Sequence, residues 1–206
     1  MLHRTPSLLP FLYPSLTWRI ENASRELYLT FDDGPVPGPT EFVLDALAGY
    51  NAKATFFCIG DNVRKHPGIF KQVVAREHAV ANHTFNHMNG WKTNRSDYVQ
   101  NIRQCQEEMA RYTAVPPLFR PPYGRITRGQ IKALPDFRII MWDVLSVDYD
   151  RHLSAERCLR NTINAIRPGS IIVFHDSLKA ERNMTYALPR VLDHFAHQGF
   201  QFKTLA

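Results

Sequence analysis

Short β-branched or aromatic runs alternate with longer amphipathic stretches along almost the whole chain, which confines it to parallel α/β architectures. Strands are expected at Glu26–Phe31, Ala54–Ile59, Ala79–His83, Leu118–Arg120, Arg138–Asp143, Ser170–His175 and Gln201–Leu205. Helices are expected near Thr40–Tyr50, Pro67–Arg76, Ser96–Tyr112, Thr127–Leu134, Ser154–Ile166 and Thr185–Gln198, with Ser96 and Ser154 as N-caps. This repetition predicts a parallel sheet, open or closed into a barrel. At 206 residues the chain is read as one domain over 1–206, with 1–22 an irregular lead-in to the first strand.

A second pattern is laid over the first. The polar residues best suited to chemistry fall where the expected strands end: Asp32 and Asp33, His83, Arg120, Asp143 to Asp148, and His175 with Asp176. In parallel α/β folds the C-terminal ends of strands open onto the active site. Independent strands ending in Asp, His or Arg converge if the sheet curls, so the pattern points to an enzyme.

Composition removes other classes. The three cysteines (Cys58, Cys105, Cys158) contain no CxxC and form no framework, which excludes a thiolate cage and suggests packed, reduced thiols. Net charge is +6, but the basic residues are scattered, with no basic aromatic face for nucleic acid. The apolar stretch Leu8–Pro14 is broken by prolines and lacks the h-region and cleavage site of a secretory signal. No run approaches the ~20 residues of a membrane span. With no signal evident, a cytoplasmic location is the default expectation.

Four motifs carry the chemistry. In Leu29-Thr30-Phe31-Asp32-Asp33-Gly34-Pro35 a strand runs into two carboxylates, which repel unless a cation or a shared proton lies between them. One can bind a metal while the other takes a proton from bound water, or the motif is merely a polar turn. In His83-Thr84-Phe85-Asn86-His87 the i, i+4 spacing puts both imidazoles on one face of a helical turn. With an Asp from another strand end they make a three-ligand site that leaves room for water or substrate. Arg120-Pro121-Pro122-Tyr123-Gly124 combines a guanidinium fork with a stiff backbone, suited to holding a carboxylate or presenting an N–H to an oxyanion. The alternative is an ordinary ion pair in a proline-rich connection. An apolar strand, Ile171–Phe174, ends in His175-Asp176 and so delivers an imidazole to the same face; Asp148 is a natural partner to keep it protonated.

As an ordered set these motifs resemble the polysaccharide deacetylases of carbohydrate esterase family 4, the NodB-homology domain, from Leu27 to about Leu205. The resemblance implies a distorted, incompletely closed (β/α) barrel of about seven parallel strands. It implies Asp32 as general base, Asp33, His83 and His87 as metal ligands, and Arg120 orienting Asp32. It also implies an oxyanion contact from the Tyr123 N–H and His175 as general acid tuned by Asp148. Zinc is the implied metal, with cobalt or nickel as alternatives. The fourth motif departs: with Trp142 and Asp148 aligned, Leu145 stands where the family has Asp and Tyr149 where it has Trp. These departures bear on substrate more than on chemistry.

The expected function is therefore metal-dependent removal of N-acetyl groups from a glycan containing N-acetylglucosamine, chitin-like or peptidoglycan. Trp91, Tyr123 and Tyr149 are available to stack on sugar rings. Two alternatives are an amidase or deacetylase acting on a small non-carbohydrate or O-acetyl substrate, and a non-catalytic glycan-binding relative. The second predicts loss of a base, ligand or acid, and all are present.

Overall fold

A computed structural model describes residues 3–21 and 24–205. Met1, Leu2, Asn22, Ala23 and Ala206, also covered by the one-domain expectation, lie outside the described residues. Among the described residues there are eight strands: β1 Glu26–Asp32, β2 Thr55–Cys58, β3 Ala79–Asn82, β4 Leu118–Phe119, β5 Arg138–Ile139, β6 Val144–Leu145, β7 Ile171–His175 and β8 Gln201–Phe202. Every pairing is parallel, in the order β5-β4-β3-β2-β1-β7-β6, with β8 beside the start of β1. The sheet curls strongly into a half-barrel, as expected.

Period-two alternation along β1 sets its two faces. Leu27, Leu29 and Phe31 point outward beneath the helices, where Phe31 stacks on Phe56 at 5.1 Å and on Phe174 at 6.3 Å. Tyr28 packs in a separate, inner cluster with Phe57, Ala81, Leu118, Ile140 and Ile171. Thr30 and Asp32 share that inner side and meet Arg120 there. One strand thus supplies both core and chemistry.

The helices are α1 Leu8–Leu12, α2 Pro39–Ala48, α3 Gly60–Lys65, α4 Pro67–Ala75, α5 Arg95–Ala110, α6 Arg128–Lys132, α7 Ala155–Ala165 and α8 Glu181–Ala196. Ser154 caps α7 as expected, accepting from the Arg157 N–H. Ser96 does not cap α5; Asn94 does, accepting from the Asp97 N–H at 3.0 Å. Two capping residues compete two positions apart, and with Asn94 as the cap Ser96 falls inside the first turn. α8 starts four residues earlier than expected, with Ala180 at its N-cap and no side-chain cap to mark it.

The expected single strand Arg138–Asp143 divides its pairing between the two edges of the sheet. Its first part joins β4, and the chain then crosses the seam to join β7 as β6. The lead-in, expected to be irregular, lies along this crossing as two arms. His3 O accepts from Leu145 N–H, Thr5 N–H donates to Asp143 O, and Thr17 exchanges bonds with Ile139 O and Met141 N–H. Backbone groups that neither sheet edge can reach are thereby satisfied, and α1 stands between the arms. Asp143, expected on the catalytic face, instead binds Arg167 at 2.8 Å and Ser170 Oγ at 2.6 Å beside the start of β7.

Candidate active site

At the open ends of the strands lies a cavity of about 440 Å³ walled by Asp32, Asp33, His83, His87, Tyr123 and His175, with Trp142, Leu145 and Tyr149 opposite. Asp32 is the last residue of β1, and its Oδ1 accepts from Arg120 Nη1 at 2.7 Å. Arg120 is fully buried over the Phe57 ring at 4.0 Å, and it also reaches Thr30 Oγ1, Ile140 O and Met141 O. With Oδ1 engaged, Asp32 turns Oδ2 toward His83 Nε2 at 3.9 Å.

The two histidines do not share a helical turn. They sit on a loop after β3 in which Thr84 (φ 64°) and His87 (φ 54°) are left-handed. The loop is held from outside: Asn101 Oδ1 on α5 accepts the Phe85 and Asn86 N–H groups, and Asn82 Oδ1 accepts that of Thr84. His83 Nδ1–H donates to Arg120 O at 2.8 Å, which fixes the tautomer and leaves Nε2 as an acceptor. Burial, opposed by Asp32, brings its pKa down to about 4, so the ring is neutral. His87 Nδ1 meets the Tyr123 hydroxyl at 3.1 Å, and its Nε2 also faces inward.

Asp33 Oδ1 stands 3.2 Å from His87 Nε2 and 3.8 Å from His83 Nε2, yet is buried without a hydrogen bond. One ligand atom from each residue falls within 4.8 Å of the others. Three acceptors turned on one another repel unless a cation lies between them, so this donor set fits a divalent metal. Burial raises the Asp33 carboxyl, but His87, with the imidazolium charge of His175, outweighs it and holds the pKa below the usual carboxylate range.

Across the cavity His175 ends β7. Both oxygens of buried Asp148 grip it, Oδ1 at 2.7 Å from Nδ1 and Oδ2 at 2.8 Å from the backbone N–H. Burial lowers the imidazole pKa, but the charge and hydrogen bond of Asp148, with Asp33 and Asp32, outweigh it and raise it to about 9. Tyr149 packs edge-on against His175 at 5.0 Å. Asn183, on the first turn of α8, ties down the loop after Asp148 through the carbonyls of Asp148, Asp150 and Leu153.

Asp176 turns away from the cavity. Its oxygens accept the Gly34 N–H at 3.0 Å and the Thr40 hydroxyl at 2.6 Å, strapping the turn after Asp33 to the end of β7. Of the three aromatics proposed for stacking, Tyr123 and Tyr149 line the cavity. Trp91 stands outside it, behind Arg125 at 5.2 Å. Arg125, Lys179 and Trp142 also line the wall and carried no strand-end signal. Asn101 and Asn183 act from helix faces, where sequence pattern shows only polarity.

A curled parallel sheet that brings a two-imidazole, one-carboxylate centre, a second carboxylate and a His–Asp pair to one mouth defines a hydrolase built around a candidate metal centre. The family model for polysaccharide deacetylases matches residues 19–139, and the chain belongs to that family. It is 36% identical over 184 residues to a peptidoglycan-N-acetylglucosamine deacetylase of Bacillus cereus, covering 87% of this chain and 66% of that protein. It is 34% identical over 175 residues to a chitooligosaccharide deacetylase of Bradyrhizobium, covering 82% and 80%. A peptidoglycan N-acetylglucosamine deacetylase solved with 4-naphthalen-1-yl-N-oxidanyl-benzamide superposes with TM-score 0.89 at 33% identity, over 95% of this chain and 94% of that one.

Proposed function

We propose that this chain removes N-acetyl groups from a glycan containing N-acetylglucosamine, with Asp33, His83 and His87 holding a divalent metal, zinc first among the candidates. The observation that carries the reading is the buried Asp33 oxygen, unbonded and facing Nε2 of both histidines. When bound there, the metal supplies Lewis-acid polarisation of the acetyl carbonyl and a more acidic water.

The chain's own residues do the rest. Asp32 Oδ2, aimed into the cavity because Arg120 occupies Oδ1, accepts the proton of the attacking water. The Tyr123 N–H, on a stiff turn with φ 60° at Tyr123, donates to the oxyanion. His175, kept protonated by Asp148, gives its proton to the departing nitrogen. Acetate and a free amine result.

For the glycan, Arg125 and Lys179 place two cations on the cavity wall, and neither is in an ion pair among the described residues. This favours a carboxylate-bearing polymer such as peptidoglycan over neutral chitin. The test is acetate release from peptidoglycan and from N-acetylglucosamine oligomers, before and after chelation and with zinc, cobalt or nickel restored, beside Asp32→Asn. Metal-dependent release that falls at least about 100-fold in the variant is expected. A folded, metal-loaded protein that releases no acetate from either glycan overturns the reading.

A further inference from the structure

The apolar stretch Leu8–Pro14 has no part in catalysis, and the structure gives it an unusual setting. Of seven large apolar side chains exposed among the described residues, Trp91, Tyr123 and Leu178 belong to loops beside the strand ends. The other four are on α1: Leu8 at 61%, Leu9 at 37%, Phe11 at 80% and Leu12 at 47% exposure. No residue of α1 is buried. Leu8, Phe11 and Leu12 follow i, i+3, i+4 spacing, which aligns them on one face. Nor is the helix a loose tail. Thr5 ties its start to the seam through Asp143 O at 2.8 Å and Trp142 O at 2.6 Å. Trp18 Nε1 donates to Tyr13 O at its end, and Leu16 is buried.

Around this ridge arginines outnumber acids. Arg4, Arg19 and Arg167 line a groove of about 960 Å³ together with Pro10 of α1. Arg128 lies over the Tyr13 ring at 5.7 Å, and Arg138 donates to Thr17 Oγ1 at 3.2 Å. Against these five arginines the groove holds two acids, Glu21 paired with Arg19 and Asp143 paired with Arg167.

We infer that α1 and its arginines form a docking surface for an anionic phospholipid membrane. Phe11, Leu8 and Leu12 enter the boundary between headgroups and acyl chains, and Arg4, Arg128 and Arg138 meet lipid phosphates. A five-residue helix rises only about 7.5 Å, enough to lie in that boundary and not to cross it. A second copy of the chain fits worse. Four side chains offer roughly a few hundred Å² where a stable dimer buries about 800 Å² per partner, and two-fold pairing would set arginines against arginines. The groove shares no lining residue with the catalytic cavity, so docking leaves that mouth open.

The full chain is mixed with vesicles of phosphatidylglycerol or of phosphatidylcholine and sedimented. Binding to phosphatidylglycerol alone, weakened by salt, is expected. Phe11→Ser with Leu12→Ser should lower the partition at least about tenfold with unchanged thermal unfolding, and Arg128→Gln or Arg138→Gln about fivefold each. No binding to phosphatidylglycerol, or binding untouched by the Phe11/Leu12 exchange, overturns the proposal. So does a concentration-dependent dimer in sedimentation velocity that the same exchange abolishes, since α1 would then cover a second copy.

Discussion

At the scale of single residues the site is a set of groups made useful by their neighbours. His175 shows this best, because an isolated buried imidazole would lose its proton and Asp148 reverses that. If His175 is the acid, kcat/KM falls on the alkaline side as its proton leaves, at or below about pH 9, because a cation at Asp33 opposes the imidazolium charge. Asp148→Asn should move that limb down by at least about one pH unit; a limb that stays put belongs to another group. The same proton stabilises the fold. The folded value lies above the ordinary value of about 6.5, so the contribution is full below that pH and fades as pH rises through about 9. The stability gap between wild type and Asp148→Asn, read by urea unfolding, should narrow across this window. Arg120 is the opposite case, a cation fully buried and fully bonded. Arg120→Met strands the Asp32 carboxylate and should cost about 3–5 kcal/mol in the same assay; a loss under about 1 kcal/mol would show that the carboxylate finds another partner. Gly34 was legible only as part of a turn motif, yet a Cβ there would run into the Asp176 carboxylate.

Elements carry the part of the site that pattern reading finds well and the part it misses. Asp32, His175 and Arg120 were legible because each ends or directly follows an apolar strand, and strand ends are fixed by the period-two pattern. The histidine loop was legible as a pair of candidate ligands but not as a shape. The i, i+4 spacing suits a helix, whereas left-handed Thr84 and His87 arise from hydrogen bonds to Asn82 and to Asn101 on a distant helix. Tertiary partners of that kind leave no local trace. Asn101→Ala removes the acceptor of two backbone N–H groups in the loop and should cost about 1–3 kcal/mol. It should also weaken metal retention after dialysis about tenfold or more, measured by elemental analysis. Retention equal to wild type would mean the loop keeps its form through Asn82 and the Gly60 and Asp61 N–H groups.

For the molecule as a whole, the parallel sheet followed from strand–helix alternation and the incompletely closed barrel from the family resemblance, while the way its seam is filled did not. Arg138–Asp143 read as one strand, but the stretch 138–145 serves both edges of the sheet, and the gap is filled by a lead-in whose sequence shows little periodicity. The arms supply four backbone hydrogen bonds through His3, Thr5 and Thr17, plus one from the Thr5 hydroxyl. At about 1 kcal/mol each these approach the lower end of the 5–15 kcal/mol that holds a typical domain together. Removing the lead-in through Trp18 should therefore lower the thermal midpoint by more than about 10 °C, or leave the protein aggregating through its opened edge. It should also reduce activity, because the freed stretch carries Trp142 and Leu145 on the cavity wall. The smaller exchange Thr5→Val should cost about 1 kcal/mol, whereas Phe11→Ser with Leu12→Ser touches no seam contact and should leave the midpoint in place. If the truncated chain melts with wild type, the arms merely rest on the barrel, and its seam is closed by the 138–145 stretch alone.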